Sequence, residues 1–324
     1  MSALPGAPAL TAATLGLGVG VLAYSTLIEP RAFALRLVDV PVLPPGVPEV
    51  SILHVSDLHL HPRQTYRAAW LRGLDELEPD LVVSTGDNMV QADSVPAVLR
   101  AYGPLLDRPG VFVLGSNDYF PATMKNPFGY FNQSHRRGES MTHRRLPTQD
   151  LVDGFERSGW LSAMHRRLRL QVGGVDLEVV GVNDPHIGYD HYDRVAGPAA
   201  ADADLTIGVL HAPYQRVLDP MAADGAQLLI AGHTHGGQVC VPGWGALVTN
   251  CDLDTGRAKG LSRWWPGAGQ ANPAGAASAP PLGAAYLHVS AGLGASTYSP
   301  FRLACRPEAT LLRLTARTDG AHPA

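Results

Sequence analysis

Five apolar runs in this chain lead straight into short polar clusters. Val50–Val55 leads into Ser56-Asp57-Leu58-His59, Leu81–Ser84 into Gly86-Asp87-Asn88, and Val111–Leu114 into Gly115-Ser116-Asn117-Asp118. Leu205–Leu210 leads into His211-Ala212-Pro213, and Leu228–Ala231 into Gly232-His233-Thr234-His235-Gly236. Helical stretches separate the first three, at Tyr66–Leu77, with Leu71, Leu74 and Leu77 on one face, and at Val95–Leu106. Strand, polar loop and helix in repeated order define an α/β layer structure. In such folds ligands bind where strands end at their carboxyl termini, which is where the clusters stand. Further strands are expected at Leu168–Val172, Leu177–Val182, Tyr286–Ser290 and Ala309–Leu314.

The clusters hold carboxylates, imidazoles and an amide, a mixed nitrogen and oxygen donor set that suits Mn, Fe or Zn rather than Ca or Mg alone. Alternation in Asp57-Leu58-His59 turns both polar side chains one way while Leu58 packs behind. Gly232 and Gly236 bracket two histidines and allow a tight turn there. An isolated Asp-x-His or Gly-Asp-Asn is an ordinary turn. The ordered set of clusters, each at a strand end, carries the chemical reading.

This order resembles the calcineurin-like metallophosphoesterases, over roughly Val50 to Leu314. The resemblance implies a two-sheet β-sandwich flanked by helices, and hydrolysis of phosphomonoester, phosphodiester or pyrophosphate bonds by two divalent metal ions. It implies that Asp57, His59 and His235 bind the first metal, that Asp87 bridges, and that His211 and His233 bind the second with an oxygen from the Gly115 cluster. The segment Ile28-Glu29-Pro30, the run through Gln238, Gly292-Leu293-Gly294 and Pro307-Glu308 resemble a membrane-associated, YkuE-type subgroup, and a lipid-linked or cell-envelope phosphoester is one expected substrate of this chain. One cluster departs from the family order Gly-Asn-His-Asp. Strict alignment puts Ser116 at the ligand position and Asn117 where a histidine protonates the leaving group. The Asn117 amide oxygen is the better ligand, with Ser116 the alternative. Loss of the acid histidine leaves His61 as the nearest substitute in sequence, followed by His186, His191, His135 and His143. The same metal core also serves nucleotide and cyclic-nucleotide phosphodiesterases, and a non-catalytic metal-binding scaffold is the alternative from another class.

The net charge of −4 argues against a general nucleic-acid surface. The cysteines, Cys240, Cys251 and Cys305, form no CxxC and are read as packing residues. Residues 1–30 contain no charged side chain before Glu29, and 9–28 match a bilayer core as an anchor or signal anchor, with a cleaved signal as the alternative. Arg31 and Arg36 after this segment place the domain at the cytoplasmic face, while exported members of the subgroup point outward. Residues 31–49 are read as a connector, 50–315 as the domain and 316–324 as a tail. Within the domain, 121–150 is a loop or a lid whose Lys125, Arg136, Arg137, Arg144 and Arg145 would meet phosphate or anionic lipid. Residues 267–283 form a flexible loop. Trp264 and Trp265 stand at a membrane interface, cap the pocket, or are buried in a loop.

Overall fold

The computed structural model describes residues 7–122, 145–269 and 279–317, with side chains from residue 15 onward. Lys125, Arg136, Arg137, Arg144, His135 and His143, most of the expected lid, residues 270–278 and the end of the tail lie outside the described residues.

In chain order the strands are β1 (Ala34–Leu43), β2 (Val50–Val55), β3 (Leu81–Ser84), β4 (Gly110–Phe112), β5 (Leu161–Ser162), β6 (Arg166–Val172), β7 (Val175–Gly181), β8 (Leu205–Val209), β9 (Leu228–Ala231), β10 (Cys240–Val241), β11 (Gly245–Ala246), β12 (Gly260–Trp264), β13 (Ala285–Val289) and β14 (Glu308–Ala316). They form two six-stranded sheets, ordered β1-β14-β2-β3-β4-β5 and β12-β13-β9-β8-β7-β6, with β10-β11 as a separate hairpin. Strands β2 to β5 are mutually parallel. So are β7, β8, β9 and β13, so each sheet presents a row of carboxyl ends.

Alternation along the strands explains the layering. In β2, Ile52 faces a core shared with Ile207, Val209 and Ile230 of the second sheet, whereas Leu53 and Val55 face the helices. The helices are α2 (Thr65–Gly73), α3 (Val95–Tyr102) and α5 (Thr148–Arg157) on the first sheet, and α6 (Gln215–Ala223) on the second, with the single-turn α4 (Ser116–Tyr119) near the sheet edge. Both faces of the central strands are covered, so they read as continuous apolar runs. This is the expected two-sheet sandwich flanked by helices.

The structure bears on three sequence expectations. Residues 34–43, read as connector, form edge strand β1, parallel to β14. Its alternation is blurred because Leu35 and Leu37 are exposed, and Pro41 is tolerated on an edge. Of the alternatives for Trp264 the buried one holds, on β12 rather than in a loop: the side chain is fully buried and its indole donates to Asp219 Oδ1 at 3.0 Å. The expected transmembrane helix finds no support among the described residues. Helix α1 (Ala7–Ala23) has 17 residues and leads into a π-helical turn at Tyr24–Ile28. Among the described residues no helix is long and apolar enough to cross a membrane.

Phe155 ties the outer layer to the first sheet, with its ring 5.1 Å from Trp160, 5.4 Å from Tyr102 and 5.0 Å from Phe112. Phe155→Ala should cost about 3–5 kcal/mol in urea unfolding, because a buried aromatic is lost and a cavity left. A loss under about 1 kcal/mol would show that this cluster does not hold the layer.

Candidate metal centre

The carboxyl ends of β2, β3, β8 and β9 bring Asp57, His59, Asp87, His211, His233 and His235 to one edge of the sandwich. The chain leaves each strand through an abrupt turn, and the side chains are aimed by unusual backbone. Asp57, His59, Asp87, His233 and His235 all have positive φ, between 39° and 70°. A left-handed conformation at a non-glycine residue costs of order 1 kcal/mol or more and persists only where the surroundings hold it. Its recurrence at five prospective ligands marks the site. Close approach also needs Gly115, where a Cβ would lie 2.3 Å from Asp87 Oδ1 and 2.7 Å from His211 Nε2.

The two carboxylates differ in their hydrogen bonding. Asp57 Oδ2 accepts from Ser56 Oγ (2.5 Å) and His233 N (2.9 Å), and Asp57 Oδ1 is buried without a partner. That free oxygen lies 3.7 Å from His235 Nε2. Asp87 Oδ1 accepts the Asn117 backbone N–H at 2.8 Å, and Oδ2 accepts the Asn117 side-chain amide at 2.7 Å. The same Oδ2 stands 3.4 Å from His59 Nε2 and 3.6 Å from His211 Nε2, between the two imidazoles.

Main-chain carbonyls orient the rings. His211 Nδ1 donates to Thr85 O (2.7 Å), His233 Nε2 to Asn250 O (3.1 Å) and His235 Nδ1 to Gly294 O (3.2 Å). The remaining nitrogens turn inward, with His233 Nδ1 3.3 Å from His211 Nε2. Both ring nitrogens of buried His59 lack a hydrogen-bond partner. Burial lowers the His59 pKa to about 4 against the pull of Asp87, and burial and the Arg302 cation keep His235 neutral. At His211 burial opposes charge, but the carboxylates of Asp87 and Asp184 outweigh it and raise the pKa to about 9. The pocket therefore draws a positive charge to the point where these groups meet.

Two sets have donor atoms within 4.8 Å of one another: Asp57, His59 and His235, and Asp57, Asp87 and His211. Buried polar atoms without partners are costly, and a divalent cation is the partner that carboxylate oxygens and imidazole lone pairs would share. The residues present fit a metal centre.

Asn117 is at the site, with its amide on Asp87, and Ser116 Oγ is 3.4 Å from that amide. His61 is not joined to the cluster by a hydrogen bond or ion pair among the described residues, and its Nδ1 accepts the Arg63 amide in its own turn (3.2 Å). His186 is closer to the cluster, its ring 4.4 Å from that of His233. His191 packs instead against His165, at 5.7 Å. Asp184 is buried nearby but does not orient His211 by hydrogen bond, a task that falls to Thr85 O. Asp118 had no role in the sequence reading, yet its carboxylate collects the backbone N–H groups of Asp87, Asn88, Met89 and Gly115 at 2.8–3.2 Å. It is the brace that holds the Asp87 turn. Its place as the last residue of the Gly115 cluster was the available signal.

The calcineurin-like phosphoesterase family model matches residues 50–237, more than half of the chain. The chain belongs to this family of metal-dependent phosphoester hydrolases. It is 26% identical over 319 residues to the uncharacterized metallophosphoesterase YkuE of Bacillus subtilis, covering 95% of this chain and 94% of that protein. It is 26% identical over 311 residues to the phosphodiesterase YaeI of Escherichia coli, covering 94% and 96%. A transmembrane protein with a metallophosphoesterase domain from Bos taurus is 28% identical over 224 residues, 64% of this chain but 45% of that one. The chain thus spans less than half of the bovine protein and nearly all of the two bacterial ones.

Asp87→Ala should remove both metals from the purified chain, whereas His235→Ala should remove mainly one. Metal analysis after dialysis checks this, and equal losses in the two variants would count against Asp87 as the shared ligand.

Proposed function

We propose that this chain is a binuclear metal-dependent phosphoesterase, with Asp57, His59 and His235 holding one cation, His211 and His233 a second with Asn117 beside them, and Asp87 between. The observation that carries this reading is the set of buried ligand atoms without hydrogen-bond partners, Asp57 Oδ1 and both nitrogens of His59, in groups whose ligand atoms lie within 4.8 Å of one another. Divalent cations in such a site act as Lewis acids on phosphoryl oxygens and bring the acidity of water toward neutral pH.

The protein's own part is to place and hold. Asp118 fixes the turn of Asp87, the carbonyls of Thr85, Asn250 and Gly294 set each imidazole tautomer, and Asn117 bonds to the central carboxylate. With asparagine in place of the usual acid histidine, the leaving oxygen lacks its family proton donor. His186 lies against His233 and is better placed than His61 to supply one. A phosphodiester is the favoured substrate class, in keeping with the name of the E. coli relative. The Mn, Fe or Zn preference follows from the mixed donor set.

We also assign the N-terminal helix to lipid contact. Leu15, Leu17, Val19, Leu22, Leu27 and Ile28 are exposed along it, and a contiguous exposed apolar surface marks an interaction site. On this reading the domain lies at the cytoplasmic face, where Arg31 and Arg36 meet anionic headgroups, and the phosphoester is one carried by a lipid or envelope component.

With Mn²⁺, the full chain should hydrolyse bis(p-nitrophenyl) phosphate and lose that activity to a chelator. The p-nitrophenolate leaves without protonation, so simple alkyl diesters should fall behind by more than they do in relatives with the acid histidine, whose help is worth about 10²–10⁴-fold. Two bound Mn²⁺ with no hydrolysis of either ester would replace the enzyme reading with the scaffold one.

A further inference from the structure

Glu29 directly follows the exposed apolar helix, yet its carboxylate is almost completely buried. Its Oε1 accepts Cys305 N at 2.5 Å and its Oε2 accepts Ala304 N at 3.0 Å, while Ser25 O accepts Arg302 N at 2.8 Å. The segment Ser25–Glu29 therefore pins the turn 302–305, which lies far from it in sequence. A buried carboxylate satisfied by backbone N–H groups is a specific restraint, because desolvation penalises any arrangement that leaves it without them.

That turn carries Arg302, whose guanidinium is also buried. Its Nη2 donates to Ala291 O (2.7 Å), Gly292 O (3.1 Å) and Gly294 O (2.5 Å), and its Nη1 to Cys305 O (3.2 Å). The loop 291–294 that it gathers touches three prospective ligands of one cation. Gly294 O accepts from His235 Nδ1, and Gly294 N donates to Asp57 O at 2.6 Å. At Gly292 a Cβ would lie 2.5 Å from Asp57 Cβ, and at Gly294 2.9 Å from His59 Cβ. The other cation's histidines are oriented by other elements, His211 by Thr85 O and His233 by Asn250 O.

We propose that Glu29 and Arg302 are positioning residues of the metal centre, which fasten the N-terminal segment, through the turn 302–305, to the loop that sets Asp57, His59 and His235. The first cation position is then built partly by the segment that precedes the family domain, and a displacement of that segment reaches this metal position more strongly than the other, which it touches only through Asp57. This rests on the metal-binding reading given above.

The test uses the full chain and Mn²⁺ in equilibrium dialysis, with thermal unfolding of the same samples. Glu29→Gln keeps the shape but turns an N–H donor toward a backbone N–H. Arg302→Lys keeps the charge but cannot reach four carbonyls from one ammonium. Each should weaken one of the two Mn²⁺ sites by about 10–100-fold, the usual effect of losing a residue that orients a ligand, and the other by clearly less. Asp219→Asn is the control, since Asp219 accepts the Trp264 indole (3.0 Å) and Gly267 N (3.1 Å) in another part of the core. It should keep both sites at wild-type affinity even where its Tm falls. Wild-type affinities in both Glu29→Gln and Arg302→Lys would overturn the proposal, as would equal weakening of the two sites or the same selective loss in Asp219→Asn. A wild-type chain that binds no Mn²⁺ would instead remove the metal reading, and this inference with it.

Discussion

Asp57 and Asp87 are buried beside His59, His211 and His235 at the rim of the sandwich, and the cost of that burial has to be met by positive charge. Removing one carboxylate from water without a partner costs several kcal/mol, and these two are close enough to raise each other's cost. The effect is visible at His211, where the surrounding carboxylates overcome burial and push the imidazole toward its charged form. A pocket that stabilises a proton at that point, while His59 and His235 are kept neutral by burial, has the electrostatics of a cation site. Neutral imidazoles supply the lone pairs and the carboxylates supply the charge.

The remaining architecture serves this convergence. Two sets of parallel strands end at one edge, and the turns that follow hold five prospective ligands in a left-handed backbone. Each strained turn is braced from beneath: Asp118 gathers the turn after β3, and Arg302 gathers the loop after β13 that holds the turns after β2 and β9. Strain of this kind is affordable only because the two covered sheets form a stiff platform with no room to relax.

Much of this was legible in the amino-acid sequence, for identifiable reasons. The central strands are buried on both faces, so Ile52 and Leu53 alike had to be apolar, and the run Val50–Val55 stood out. The ligands follow such runs directly, and their chemical types are restrictive. Edge elements were harder. In β1 the alternation is broken by exposed Leu35 and Leu37, and the strand looked like a connector. Trp264 gave no sign of its burial, because a two-tryptophan run reads equally as interface or core. The braces were least visible of all: Glu29 acts across hundreds of residues and Arg302 within its own loop, both through backbone groups, which have no sequence signature. Hydropathy alone likewise does not register that α1 gives way to a π-helical turn at Tyr24.

The central claim is that the site is built for two cations around Asp87. The most direct measurement is anomalous diffraction from crystals of the full chain equilibrated with Mn²⁺. Two peaks about 3.5–4 Å apart are expected, one beside His59 and His235, the other beside His211 and His233, with the Asp87 carboxylate between them. A single peak, or two that do not share Asp87, would contradict the account.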